Sequence, residues 1–196
     1  MLTRKEYSIH KLMLKIGVMK GEIVMLGLER GLVKLEPYND KWSKLFDKER
    51  ELLSSQLKDL IVEIEHVGST SIEGLFAKPI IDIAIGVSSL DVIIKLKEKV
   101  KELGYVEVPV SLDGKHVFAK YKEKKITHFL HVMIYNHNLW VDQISFRDYL
   151  RSAPDAKIEY IKLKEELANK YPNDVISYTN EKKKFVDDIL KRAKKL

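Results

Sequence analysis

The chain has 196 residues, 45% of them hydrophobic, enough for one domain with one packed core and too many for a disordered or fibrous chain. No cysteine is present, which excludes a disulfide framework and a thiolate nucleophile; apolar runs of a few residues, as at Ile80-Ile81, fall far short of the roughly 20 needed to span a bilayer. The net charge of +6 favours an anionic partner, although lysines such as Lys162 and Lys164 alternate with Glu165 and Glu166 as they do on a solvated helix face.

Residues 1–31 are basic and interrupted by Gly17, Gly21, Gly27 and Gly31, and read as an N-terminal appendage without the apolar stretch and cleavage site of a signal peptide. A cytoplasmic location is expected, with no membrane partner. The domain proper is expected over 32–196, with a sheet core to about 136 and a helical part from about 137. Asn39 or Asp40 caps a helix whose stripe is Trp42, Leu45, Phe46, Leu53, Leu57 and Leu60. Ile61 to Val67 has the β-branched pattern of a strand, broken by Gly68-Ser69-Thr70-Ser71, where a brief helix opens and Gly74 ends it. Ile80 to Val87 is a second strand, and Ser88 or Ser89 caps a helix through Leu103 that Gly104 ends. Three further strands are predicted at Tyr105 to Val110, His116 to Lys122 and Ile126 to Tyr135, separated by Asp113-Gly114 and Glu123-Lys124-Lys125. Helices follow over about 138–151, 155–170 and 174–194, with Pro154 and Pro172 closing the helices before them. The order predicts an α+β fold, a mixed β-sheet followed by a C-terminal helical layer.

The sharpest local feature is the strand end at Gly68-Ser69-Thr70. Gly68 permits close backbone approach, Ser69 and Thr70 offer hydroxyls, and a helix start offers free N–H groups, so this turn is suited to phosphate; simple helix capping explains the same residues. Some 14 residues on, Asp82 is a lone carboxylate in an apolar strand, where desolvation must raise its pKa or be met by a cation or hydrogen-bond donor. Period 2 in Thr127 to Val132 puts His131 on one strand face with Phe129 and Met133, and His128 on the other, so at most one histidine meets Asp82. His131 is the candidate proton carrier or metal ligand, with a hydrogen-bonded structural histidine as its alternative.

Several blocks together resemble the GrpB family: Pro37 to Trp42, Glu65 to Leu75 with Ala77 to Ile83, Thr127 to Val132, Phe146 to Arg151, and Tyr178 to Lys182. The family is assigned to the nucleotidyltransferase superfamily, so the resemblance implies a nucleotidyltransferase-like fold, a nucleotide or other phosphate-bearing small molecule as partner, and Mg²⁺ as cofactor. It implies Asp82 and His131 as catalytic residues, Asp82 also as metal ligand, and Gly68, Ser69, Thr70, Lys78, Arg147, Arg151, Tyr178 and Lys182 on the nucleotide. Some relatives are fused to dephospho-CoA kinase, which places an accessory role near coenzyme A synthesis among the options.

The superfamily pattern has a second carboxylate two residues after the first, where this chain has Ala84. Glu73 stands where the family usually has proline and is a candidate substitute. Two readings follow: nucleotidyl transfer from an NTP with Mg²⁺, or a non-catalytic nucleotide- or phosphate-binding module that has lost the two-metal site. Nucleic acid is not expected as a partner, because no stacked-aromatic or recognition-helix motif accompanies the charge.

Overall fold

Hydrophobic alternation decides where each element goes. The computed structural model describes residues 26–109 and 114–195. In chain order these form β1 (Leu28–Glu29), α1 (Lys41–Leu57), β2 (Glu63–Val67), β3 (Ile81–Val87), α2 (Leu90–Glu102), β4 (Tyr105–Val108), β5 (Lys115–Lys122), β6 (Lys125–Ile134), α3 (Asn138–Ser152), α4 (Pro154–Lys170), α5 (Val175–Glu181) and α6 (Lys183–Ala193). The sheet order is β2-β3-β6-β5-β4, with β1 added to β6. Only β3 and β6 run parallel; the other pairs among the described strands are antiparallel. This is the expected α+β arrangement, a mixed sheet followed by a helical layer.

Period 2 along β3 sends Ile81, Ile83, Ile85 and Val87 to one face, where they meet Trp42, Phe46, Leu53 and Leu57 of α1 and Leu96 and Val100 of α2. Leu53 and Leu57 are at most 1% exposed, and burying each such side chain stabilises the fold by roughly 1.5–3 kcal/mol. The same alternation sends Asp82 and Ala84 to the opposite face, under the C-terminal helices. There Ala84 packs with Val67, Met133 and Trp140. Its slot is fully buried and apolar, which is why no second carboxylate sits beside Asp82.

Local chemistry explains the boundaries and three departures from expectation. Asn39 starts α1 by accepting the Lys41 N–H at 3.0 Å, whereas Asp40 and, at α2, Ser89 make no side-chain cap bond. The brief helix after Gly68 is a single 3₁₀ turn, Ser69–Ser71. The expected helix over 174–194 is two helices, because the Lys182 N–H bonds to Asn180 O, off the i−4 ladder, before the Val186 N–H picks up Lys182 O at 3.0 Å. Leu28 and Glu29, read from sequence as part of the appendage, pair with Ile126 and Lys125 of β6. Residues 1–25, Val110 and Asp113 lie outside the described residues.

Candidate functional site

Gly68 sits at the end of β2 with φ +68°, a conformation that favours glycine. A Cβ there would lie 2.4 Å from Asp82 Oδ2, so the absence of a side chain is what lets the carboxylate lie against this turn. The β3–β6 register places His131 opposite Ala84, diagonal to Asp82 and on the same face. His131 Nε2 lies 2.9 Å from Asp82 Oδ1. Burial raises the Asp82 carboxyl, but the His131 hydrogen bond and the charges of Lys78 and Lys115 outweigh it, and the group lies below the ordinary carboxylate range. Burial, then Lys115, lowers His131 against the pull of Asp82. The pair at neutral pH is therefore an ionised Asp82 accepting from a neutral His131, and the desolvation anticipated for the lone carboxylate is met by a donor and by cations.

Lysines converge on this carboxylate. Lys164, from α4, is 1% exposed, and its Nζ donates to Ser69 Oγ at 2.8 Å and to Phe76 O. Burial lowers it far below the ordinary lysine range, with Lys182 and Lys78 adding repulsion and Asp82 opposing. Lys182, at the α5–α6 junction, lies 4.2 Å from the centre of the Tyr178 ring, and Lys78 lies 5.9 Å from the same ring. Burial and Lys78 bring Lys182 down to about 8. Tyr160 borders Ser69, and burial pushes its phenol up to about 12. Lys115 approaches Asp82 from β5, its own pKa lowered by burial. Four lysines thus share the field of one carboxylate.

Of the residues expected at the site, the structure places Gly68, Ser69, Lys78, Asp82, His131, Tyr178 and Lys182 near one another. Thr70, Arg147 and Arg151 do not join them. Thr70 Oγ1 turns to His66 Nε2 at 3.0 Å and Ile80 O at 3.4 Å. Arg147 is consumed by Glu65, Asp148 and the His66 carbonyl. Arg151 holds the Ser71 carbonyl at 2.8 Å and lines a separate pocket of about 560 Å³ with Tyr38, His66 and Glu73. Glu73 is therefore not beside Asp82 as a substitute carboxylate. His128 lies on the other sheet face, its Nδ1 3.0 Å from Thr127 Oγ1.

Lys164, Lys115 and Tyr160 are the residues that sequence reasoning missed. Lys164 was assigned to a solvated face because glutamates flank it, yet it lies in the buried stripe Ala156, Tyr160, Lys164, Leu167 of α4. That i, i+4, i+8, i+11 spacing is the signal that marks a lysine in a core position.

The donor set bears on Mg²⁺. Among the described residues no three His, Cys, Asp or Glu side chains gather to hold a metal ion, and the one carboxylate is outnumbered by lysines whose charges oppose a second cation. These residues do not fit a resident divalent ion held by protein ligands alone.

The family profile described as GrpB protein matches residues 32–192. The chain belongs to the GrpB family. It is 48% identical over 171 residues to the glutamate-rich protein GrpB of Alkalihalophilus pseudofirmus, covering 85% of this chain and 98% of that protein. It is 34% identical over 164 residues to YqkA of Bacillus subtilis, covering 83% of this chain and 48% of YqkA. Among solved structures, the conserved protein GrpB from Enterococcus faecalis superposes with a TM-score of 0.74 at 30% identity, over 82% of this chain and 96% of that one. The likeness to the Cid1 poly(U) polymerase, with a TM-score of 0.47 and 15% identity over 68% of this chain and 44% of that chain, is too faint to carry an argument. Among the described residues, no helix of this GrpB-family chain is long and apolar enough to cross a membrane.

Proposed function

We propose that this chain binds a nucleotide or another phosphate-bearing small molecule where Lys78, Lys164 and Lys182 converge on the Gly68-Ser69 turn and Asp82. The observation that carries the reading is the charge imbalance. Lys78, Lys164 and Lys182 are mutually repelling and desolvated, and among the described residues Asp82, which His131 already engages, is the one carboxylate attracting all three. Burying unmatched cations is unfavourable unless a ligand supplies the anion, and a di- or triphosphate supplies several negative oxygens at once. Ser69 Oγ, held by Lys164, is placed to bond such an oxygen, and the close approach of Asp82 to Gly68 fixes the turn. A transferred nucleotidyl group goes further than binding and needs an acceptor. Mg²⁺ belongs to this reading only as an ion carried in on the phosphates.

A thermal-shift panel of NTPs, dephospho-CoA and CoA, each with and without Mg²⁺, tests it, since a ligand that binds only the native state raises the melting temperature. A shift without metal that Lys182→Met abolishes is the expected result. A shift that requires Mg²⁺ and is lost in Asp82→Asn points instead to the metal-dependent transferase, and no shift with any ligand refutes the phosphate site.

A further inference from the structure

Within the lysine cluster the amines are not equivalent. Lys164 is fully buried and engaged, its Nζ donating to Ser69 Oγ and Phe76 O. Lys78 and Lys182 are half-buried, and among the described residues neither amine has a hydrogen bond or an ion pair. The buried side-chain nitrogens and oxygens that lack a partner belong to Trp42, His131 and Gln143, so these two unpartnered amines lie where solvent reaches them. Both meet the ring of Tyr178, Lys182 at 4.2 Å from its centre and Lys78 at 5.9 Å.

A partly desolvated lysine beside a second cation is the arrangement that activates an amine as a nucleophile, because both neighbours penalise its ammonium form. The repulsion falls on Lys182: burial and Lys78 lower it to about 8, whereas Lys78 is lowered by burial and held up by Asp82. Lys182 can thus carry a free lone pair while Lys78 keeps the charge that an anion needs. Tyr178 decides which electrophile suits this amine, since the face of an aromatic ring attracts a cation. Condensation with an aldehyde or ketone leaves a protonated imine, still a cation on that face. Acylation would leave a neutral amide and forfeit the contact.

We infer that Lys182 is a nucleophile that captures a small aldehyde or ketone carrying a phosphate as a Schiff base, with Lys78 and the Ser69 hydroxyl on the phosphate. The inference rests on the phosphate reading and names what the ligand bears besides its phosphate. The Lys182 Nζ lone pair bonds to the carbonyl carbon, and the C=O π pair moves to the oxygen, giving a carbinolamine. The carbon–oxygen bond then breaks as the C=N bond forms, and the oxygen leaves as water with the two amine protons. A proton from solvent makes the imine cationic. Nothing is oxidised or reduced, and water reverses the step.

Reductive trapping tests it. The full chain is incubated near pH 8, where Lys182 is half neutral, with glycolaldehyde phosphate and cyanoborohydride, which reduces the imine to a stable secondary amine, and the adducts are mapped by peptide mass spectrometry. Lys182 is expected to be the lysine modified fastest, and its lead over the others to be about tenfold larger than with glycolaldehyde, which lacks the phosphate, because a cationic surround concentrates an anionic reagent. ATP without metal is expected to suppress the adduct, and Lys182→Met to leave only slow background labelling. Adducts spread evenly over the lysines, or an equal lead for Lys182 with the two aldehydes, overturn the inference. A melting temperature raised by ATP with no preferred adduct at Lys182 removes the Schiff base and leaves phosphate binding standing. An equal lead with the two aldehydes and no response to ATP removes both.

Discussion

Two buried polar clusters lie on opposite faces of this sheet, and they differ in whether their charges close. On the face of α1, Glu49 accepts from the Tyr105 hydroxyl and from Lys120 Nζ, both at 2.8 Å. Burial raises its carboxyl, but these two bonds bring it below its ordinary value, and the cluster needs nothing more. On the other face, Lys78, Lys115, Lys164 and Lys182 surround Asp82, and the sum stays positive. A closed network of this kind ties elements together; an open one of similar burial holds a charge that the fold itself does not answer.

Removing one partner from the closed cluster has the largest expected effect. Glu49→Leu strands the Lys120 ammonium and the Tyr105 hydroxyl, and chemical denaturation is expected to show a loss of about 3 kcal/mol. A variant as stable as wild type would mean that the cluster is not the structural network described. Next in size is Gly68→Ala, which combines a 2.4 Å approach to Asp82 Oδ2 with a φ of +68°. It is expected to lose about 2 kcal/mol and to weaken phosphate binding, because the turn and the carboxylate must separate. Retained stability and binding would show that the turn is not held by that contact.

The open cluster should answer in the opposite direction. Lys182→Met removes an unmatched cation while keeping most of the apolar stem, so unliganded protein is expected to gain on the order of 1 kcal/mol in stability, read as a higher melting temperature, while losing its response to phosphate ligands. Destabilisation instead would show that Lys182 is paired in the native state. The pH dependence has the matching sign. Lys182 is depressed to about 8 from an ordinary 10.5, so between those values the unfolded chain holds a proton that the folded chain has released, and stability contributed by this group rises with pH across that window. Below pH 8 its destabilisation is present in full.

Alternation and turn chemistry made most of the sheet legible in the sequence. Asp82 and His131 could be put together because period 2 fixes the faces of two apolar strands, and the β3–β6 register then brings them within hydrogen-bonding distance. Helical residues were harder to read. Arg147 and Arg151 of α3 were expected on the nucleotide, but their partners, Glu65 and the carbonyls of His66 and Ser71, come from β2 and the turn after it, which no local pattern specifies. Lys164 was hidden by neighbouring glutamates, although its place in the buried stripe of α4 was present in the spacing. The break at Lys182 escaped notice because no proline or glycine marks it, and it is this break that sets the lysine at a helix junction over Tyr178.

Calorimetric titration of ATP into the full chain, with a metal chelator present, at pH 7 and again at pH 9, tests the unmatched-cation account most directly. The account predicts binding without metal at pH 7 and about tenfold weaker binding at pH 9, as Lys182 gives up its proton near pH 8. Equal affinity at the two pH values, or no binding until Mg²⁺ is restored, would contradict it.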